Sequence, residues 1–399
     1  MELISLSMRL RALTVFRGLL SDPVVEALCT YLDCMENTWA QGSVSAYAEL
    51  VSRLYQADGG DLGKHILRVV RENENVYIRT IGRGETPPAY MTQCVAVELE
   101  TLQEAASLTP DRLRAGLDGV GCLPGFGTTQ VDLVQDYFRR TAEIGRYGYG
   151  VYARHHMFCL NSGGHIVPVR HPDPIRLDGL VGYERERGLV LDNLRALLAG
   201  RPAANMLLTG DAGTGKSSTV KAAGNALKDE GLRVFEVHRD QLQCIPALLD
   251  ELSENPLKFI LFIDDLSFQK DDDNYSALKA VLEGSVSARS SNVVICATSN
   301  RRHIIKEKFS DRDGDDVHRN DTMQELLSLS ERFGLQVTFQ KPNKAEYLHI
   351  VHHLADAAGV AMEQSRLEAL AEQFALGRGG RSCRAAKQFV EGLVAAGEA

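Results

Sequence analysis

The chain has few of the features that mark secreted or membrane proteins. Its eight cysteines, Cys29, Cys34, Cys94, Cys122, Cys159, Cys244, Cys296 and Cys383, are spread over 399 residues, and none forms a C-x-x-C pair. That spacing gives a zinc site no support. They sit in apolar segments such as VVICAT around Cys296, where reduced, buried thiols of a cytosolic protein are expected. No run approaches the roughly 18 apolar residues that a membrane span needs. The opening stretch MELISLSMRLRALTVFRGLL is broken by Arg9, Arg11 and Arg17 and carries no small-residue cleavage site, so it does not read as a leader. The pair His155-His156 lacks a third ligand at a recognisable spacing and reads as structural or exposed. There is no internal repeat and no low-complexity tract. A formal net charge of −9 argues against a generic polyanion binder while leaving room for a local basic patch. Together these absences lead us to expect a soluble, cytoplasmic protein without a membrane partner.

Apolar residues make up 44% of the chain and charged residues 24%, the balance of a globular protein with real cores. At roughly 150 residues per domain the length suggests two or three domains. Residues 1–165 read as a mainly helical N-terminal domain. Ser21-Asp22-Pro23 is a helix start, with a capping side chain followed by proline in the first turn. Further helices are expected near 44–56, 61–73, 92–107 and 131–144, with a loop over 115–129. Residues 161–179 contain three prolines and three glycines, a linker or loop composition, and the linker itself is placed at 166–180. Beyond them short apolar runs alternate with helical stretches: 205–209, 232–237, 259–264, 292–298 and 335–339. That alternation implies a mostly parallel, five-stranded sheet covered by helices on both faces, an α/β core over 181–340. From Lys341-Pro342 the strands stop, and 341–399 reads as a small helical domain.

One motif decides the chemistry. Gly210, Asp211, Ala212, Gly213, Thr214, Gly215, Lys216 and Ser217 fit G-x-x-x-x-G-K-[ST] in full, between a strand and a helix that opens with Ser217 and Ser218. The glycines let backbone N–H groups close around phosphate oxygens, and the helix N-terminus adds its positive dipole end. Lys216 is expected to reach the β- and γ-phosphates of ATP, and Ser217 to ligate Mg2+. The third strand ends in Asp264 and Asp265, at the strand edge where open α/β sheets bind ligands. Asp264 is expected to hold the magnesium, and Asp265 to polarise the attacking water. After the fourth strand, Asn300 is placed to reach the γ-phosphate or that water; a turn-capping asparagine is the rival reading. The charged stretch 306–321 is not a calcium loop, because, counting Asp311 as the first position, glycine stands at the fourth rather than the sixth and Thr322 occupies the twelfth.

These features together resemble the AAA+ ATPases over about 175–399. Within that superfamily the phrases GYERER, GDAGTGKSS, DDLSF, SNRRHI and LSLSERFGL are similar to a family of uncharacterised bacterial ATP-binding proteins, a domain of unknown function. The resemblance implies a helical lid over 341–399 and kinship with helicase loaders and other remodelling ATPases. Arg332, in ERFG, occupies the position of an arginine finger that reaches a neighbouring subunit's ATP. Arg384, in SCRAAK, matches the lid arginine that senses bound phosphates, with Arg381 the near alternative. Val181 and Gly182 match the segment beside the adenine. Most relatives carry glutamate where this chain has Asp265, one methylene shorter. The reading that follows is an ATP-hydrolysing homo-oligomer that remodels or loads a macromolecular partner, a protein or a protein–nucleic acid complex. An ATP-gated assembly switch with little turnover is the alternative. A small-molecule kinase has least support, because no acceptor pocket is recognisable.

Overall fold

A computed structural model describes residues 2–36, 40–115, 117, 123–266, 278–282, 291–300 and 330–397. Cys122 and the charged stretch 306–321 lie outside the described residues. The chain divides into two compact units, Met1–Arg154 with Asn255–Leu257, and His155–Glu254 with Lys258–Ala399. No described helix is long and apolar enough to cross a membrane.

The first unit is helical: α1 (Glu2–Arg11), α2 (Pro23–Glu36), α3 (Ala40–Asp58), α4 (Leu62–Glu72), α5 (Val76–Gly82), α6 (Ala89–Ala106), α7 (Pro110–Arg114), α8 (Leu133–Ala142), α9 (Ile144–Tyr147) and α10 (Val151–Arg154). Helix α2 begins where the sequence places it: Asp22 Oδ1 accepts from the amides of Val24 and Val25 at 3.0 and 3.2 Å, which satisfies two of the orphan donors of a helix start. The amphipathic α4 buries Leu62, Ile66, Val69 and Val70 at helical spacing. Tyr31 and Tyr47 are fully buried and meet edge to face. A buried carboxylate organises the turn after α1: Glu98 accepts from the amides of Thr14, Val15 and Phe16 at 2.6, 3.1 and 2.9 Å. Three N–H donors are what an acid needs to be held away from water.

The second unit is built on a sheet of seven strands: β1 (Met157–Leu160), β2 (Ile166–Pro168), β3 (Met206–Gly210), β4 (Leu232–Glu236), β5 (Lys258–Ile263), β6 (Val293–Ser299) and β7 (Leu335–Phe339). Their order is β2-β1-β4-β5-β6-β3-β7. The five strands expected from the sequence are all present and all parallel. Two further strands extend the sheet beyond β4, with β1 parallel to β4 and β2 antiparallel to β1. They fall inside the segments read as the end of the helical domain and the linker, and the unit boundary stands at Arg154 rather than near 165. The reason is local: MFCL is too short to show a periodicity, and β2 has no fully buried residue to signal a core strand. What recruits β1 is packing, since Phe158 is wholly buried and stacks on Phe235 with ring centroids 5.0 Å apart.

Helices α11 (Glu184–Leu198), α12 (Lys216–Leu227) and α13 (Ile245–Ser253) accompany the sheet. Strands β3 to β7 run parallel to one another, and β3 lies between β6 and β7. A C-terminal lid follows: α14 (Lys344–Ala357), α15 (Gln364–Gly377) and α16 (Cys383–Ala395). The lid has a core of its own, around Tyr347, Val351, Ala371 and Phe389. Its first helix starts with a capping box, in which Asn343 and Glu346 accept each other's backbone N–H at 3.0 and 2.9 Å.

Candidate active site

The chain leaves β3 for β4 across two strand positions and later returns through β5 and β6 to pair with β3. This reversal opens a crevice at the C-terminal strand ends. The glycine-rich loop turns there. Gly210 has φ +136°, and a Cβ on it would lie 2.0 Å from the carbonyl oxygen of Phe339, so only glycine lets the loop leave the sheet beside β7. Gly215 stands in the left-handed region, and α12 begins on it without a side-chain cap. The first amides of α12 are therefore donors without side-chain acceptors, next to the positive end of the helix dipole.

Lys216 is buried, and its ammonium donates to the carbonyls of Gly210 and Asp211, both at 2.8 Å, and to Asn300 Oδ1 at 3.1 Å. Burial lowers its pKa from the usual lysine value, opposed by the carboxylates of Asp211, Asp264 and Asp265. Asp264 sits just past β5. Strand β6 lies between β5 and β3, yet the Asp264 carboxylate spans that gap: its Oδ1 accepts from Ser217 Oγ at 2.6 Å. The bridge is Thr298 on β6, almost fully buried, whose hydroxyl also donates to Asp264 Oδ1 at 2.6 Å. Asp265 has φ +52°, and its amide donates to Thr298 Oγ1 at 3.0 Å and to Asp264 Oδ1 at 3.1 Å. A non-glycine residue in that region is uncommon, and the two hydrogen bonds hold it there. The Asp265 carboxylate accepts from Asn300 Nδ2 at 2.7 Å. Asn300 thus joins the lysine of the loop to the second acid of the strand.

The lid closes one side. Its Arg384 amide donates to the Gly213 carbonyl at 3.1 Å, and a Cβ on Gly213 would come within 3.0 Å of Arg384 Cβ. The Arg384 side chain is exposed and lines the crevice. Arg381, the alternative, is engaged elsewhere, in a two-point pair with Glu372 at 2.8 and 2.6 Å. Between loop and lid lies a cavity of about 770 Å³, lined by Gly213 to Ser218, Asp264, Asp265, Thr298, Asn300 and Arg384. Val181 and Gly182 line it too, together with Leu180, Tyr183, Ile350 and Leu354. That side is largely apolar, and the volume lies within the range of small-ligand sites. Cys383, also on the wall, has its thiol pushed up to about 11 by burial, which keeps it protonated and unreactive.

Most site residues read from the sequence line the cavity; Gly210 and Asp211 stand behind it, their carbonyls accepting from Lys216. Arg332 does not line the cavity. It stands in the turn before β7, whose register runs parallel with β3, so the phosphate loop is at the far end of the strand. Five residues at roughly 3.3 Å each put about 16 Å between them, beyond an arginine's reach within one chain. Thr298, Tyr183, Ile350 and Leu354 were not foreseen. Only the doubling of Thr and Ser before Asn300 hinted at a polar strand end. His156, read as structural, bonds to Asn225 at 2.8 Å, and among the described residues no three His, Cys, Asp or Glu side chains group to hold a metal.

A family model described as "Protein of unknown function (DUF815)" matches residues 153–397. No curated protein matches the chain. Among solved structures the chain is similar to the Holliday junction branch migration motor RuvB of Thermotoga maritima, with 18% identity, a TM-score of 0.37, and coverage of 57% of this chain and 67% of that one. It is also similar to AMPPCP-bound DnaA from Aquifex aeolicus, with 16% identity, a TM-score of 0.40, and coverage of 57% and 67%.

Proposed function

This chain belongs to the DUF815 family, and from that premise we propose that it is an AAA+ ATPase that binds ATP with magnesium between loop and lid and hydrolyses it. The observation that carries the reading is the convergence of Lys216, Ser217, Asp264, Asp265 and Asn300 on one crevice from three separate elements, the start of α12 and the ends of β5 and β6. The residues fit both groups. The uncapped start of α12 and the Lys216 ammonium suit a polyphosphate. Ser217 Oγ and the Asp264 carboxylate, 2.6 Å apart, are hard oxygen donors of the kind magnesium takes. Magnesium held there supplies positive charge against the phosphate oxygens. Lys216 exchanges its loop carbonyls for phosphate oxygens, and Arg384 adds a second cation from the lid. Thr298 fixes the orientation of Asp264. Asp265 orients and polarises a water, and Asn300 positions its carboxylate.

The carboxylate of Asp265 is already hydrogen-bonded to Asn300 through Oδ1, so one of its oxygens is engaged before any water arrives. That observation favours a second reading, an ATP-gated switch with slow turnover. In either case we place the active form in a homo-oligomer acting on a macromolecular partner, with the helical unit as its recognition part. The test is phosphate release from Mg-ATP by the full chain and two variants. Lys216→Ala is expected to lose ATP affinity by about 2–3 kcal/mol, the range of hydrogen bonds to charged groups. Asp265→Asn is expected to bind ATP normally and lose turnover. Unchanged ATP affinity in Lys216→Ala would remove the loop from the proposal; binding without measurable phosphate release by the parent would select the switch.

A further inference from the structure

The helical unit holds a second concave site. On α4, Lys64, Arg68 and Arg71 follow helical spacing along one face, opposite the buried Ile66, Val69 and Val70. With Leu67 and Glu72 of the same helix, Arg140 of α8 and Ala153 of α10, they line a cavity of about 330 Å³. The charges in and around it are not balanced. Arg71 is neutralised by Asp136 through two bonds of 2.7 Å, and Asp136 also takes Arg139 at 2.9 Å. Arg68 pairs with Glu72 at 3.1 Å, and Arg154 shares that acid at 3.7 Å. Both acids are thus used twice. Arg140 is half-buried and forms no ion pair among the described residues. It lies over the Tyr147 ring, 4.5 Å from the centroid. Burial and the neighbouring Arg71 lower its pKa from the usual arginine value, opposed in part by Asp136. Lys64, at the rim, is exposed.

The geometry points to an anion site that takes a phosphate group, free or carried as a small monoester, between Lys64, Arg71 and Arg140. A guanidinium fork matches phosphate oxygens two at a time, and Lys64 adds a point charge. The cavity holds a phosphate and a short organic tail but is concave, so it does not follow a polynucleotide backbone. Phosphate also fits the ratio of charges: the site has more cations than carboxylates before any ligand enters. Occupancy would tie α4, α8 and α10 together in the unit to which we assign partner recognition.

The experiment measures inorganic phosphate binding to the full chain by calorimetry, in the Lys216→Ala background so that the nucleotide loop contributes little. Arg140→Gln is expected to weaken binding about tenfold or more, and Arg140→Lys less, because loss of a charged hydrogen bond carries that cost. Lys64→Gln changes an exposed side chain and keeps the fold; it is expected to weaken binding by a smaller factor. Glycerol phosphate binding more tightly than inorganic phosphate identifies an ester as the ligand, and equal binding identifies the free anion. Phosphate binding that is absent in Lys216→Ala, or unchanged in Lys64→Gln and in a folded Arg140 variant, overturns the proposal. A single-stranded oligonucleotide that displaces phosphate at lower concentration than either small anion overturns it too, in favour of a nucleic-acid surface.

Discussion

At the scale of single residues, the crevice depends on hydroxyls as much as on charges. Asp264 and Asp265 are adjacent in sequence but act differently because Thr298 separates them: its hydroxyl donates to Asp264 Oδ1 and accepts from the Asp265 amide. Thr298→Val keeps the shape and deletes both bonds. The amide of Asp265, held at φ +52°, then loses one of its two acceptors. The expected outcome is a loss of about 1–2 kcal/mol in stability, read by thermal melting, and a higher magnesium requirement for ATP binding, read by titration. A Thr298→Val protein with the parental magnesium requirement would show that Asp264 needs no support from β6.

At the scale of elements, β1 and β2 cover the flank of β4. Without them β4 is an open edge with unpaired backbone groups, a template for aggregation. Burial of Phe158 against Phe235 adds roughly 2–3 kcal/mol on the usual value for a large apolar side chain. Two fragments separate this from any effect of the helical unit. A chain of residues 155–399 and one of residues 170–399 differ only in those two strands. The longer is expected to melt at higher temperature and to stay dispersed in solution, while the shorter associates; light scattering and melting curves read both. Equal melting temperatures would make β1 and β2 ornaments of the sheet.

At the scale of the whole molecule, the position of Arg332 carries the consequence. It is separated from its own phosphate loop by the length of β7, so any contact with ATP must be made with a neighbour's. Arg332→Ala is expected to bind ATP as the parent does and to lose turnover by about 10³-fold if it carries the weight of an arginine finger. Mixed with Lys216→Ala, which keeps its finger, it is expected to recover activity, because a shared interface then holds one complete site. Mixed oligomers that form and stay inactive would deny the finger its role. A finger acting across an interface is also expected to make specific activity rise with protein concentration, read by assaying a dilution series.

Much of this was legible before any fold was known. The phosphate loop announces itself because its chemistry is local: glycines at fixed positions, a lysine and a hydroxyl at a helix start, all within eight residues. The five parallel strands are legible for a related reason, since strands buried on both faces must be apolar throughout. Tertiary structure decided what local sequence cannot encode. The strand order inserts β6 between the loop strand and the acid-bearing strand, and so sets Thr298 against both Asp264 and the Asp265 amide. The pairing of the Arg381 guanidinium with Glu372, while Arg384 stays on the cavity wall, is likewise a tertiary fact. The recruitment of β1 and β2 rested on a ring stacked across 77 positions of sequence, Phe158 on Phe235. Local chemistry is written in consecutive residues; pairing between distant ones is set by the free energy of packing, which exists only once the chain has folded.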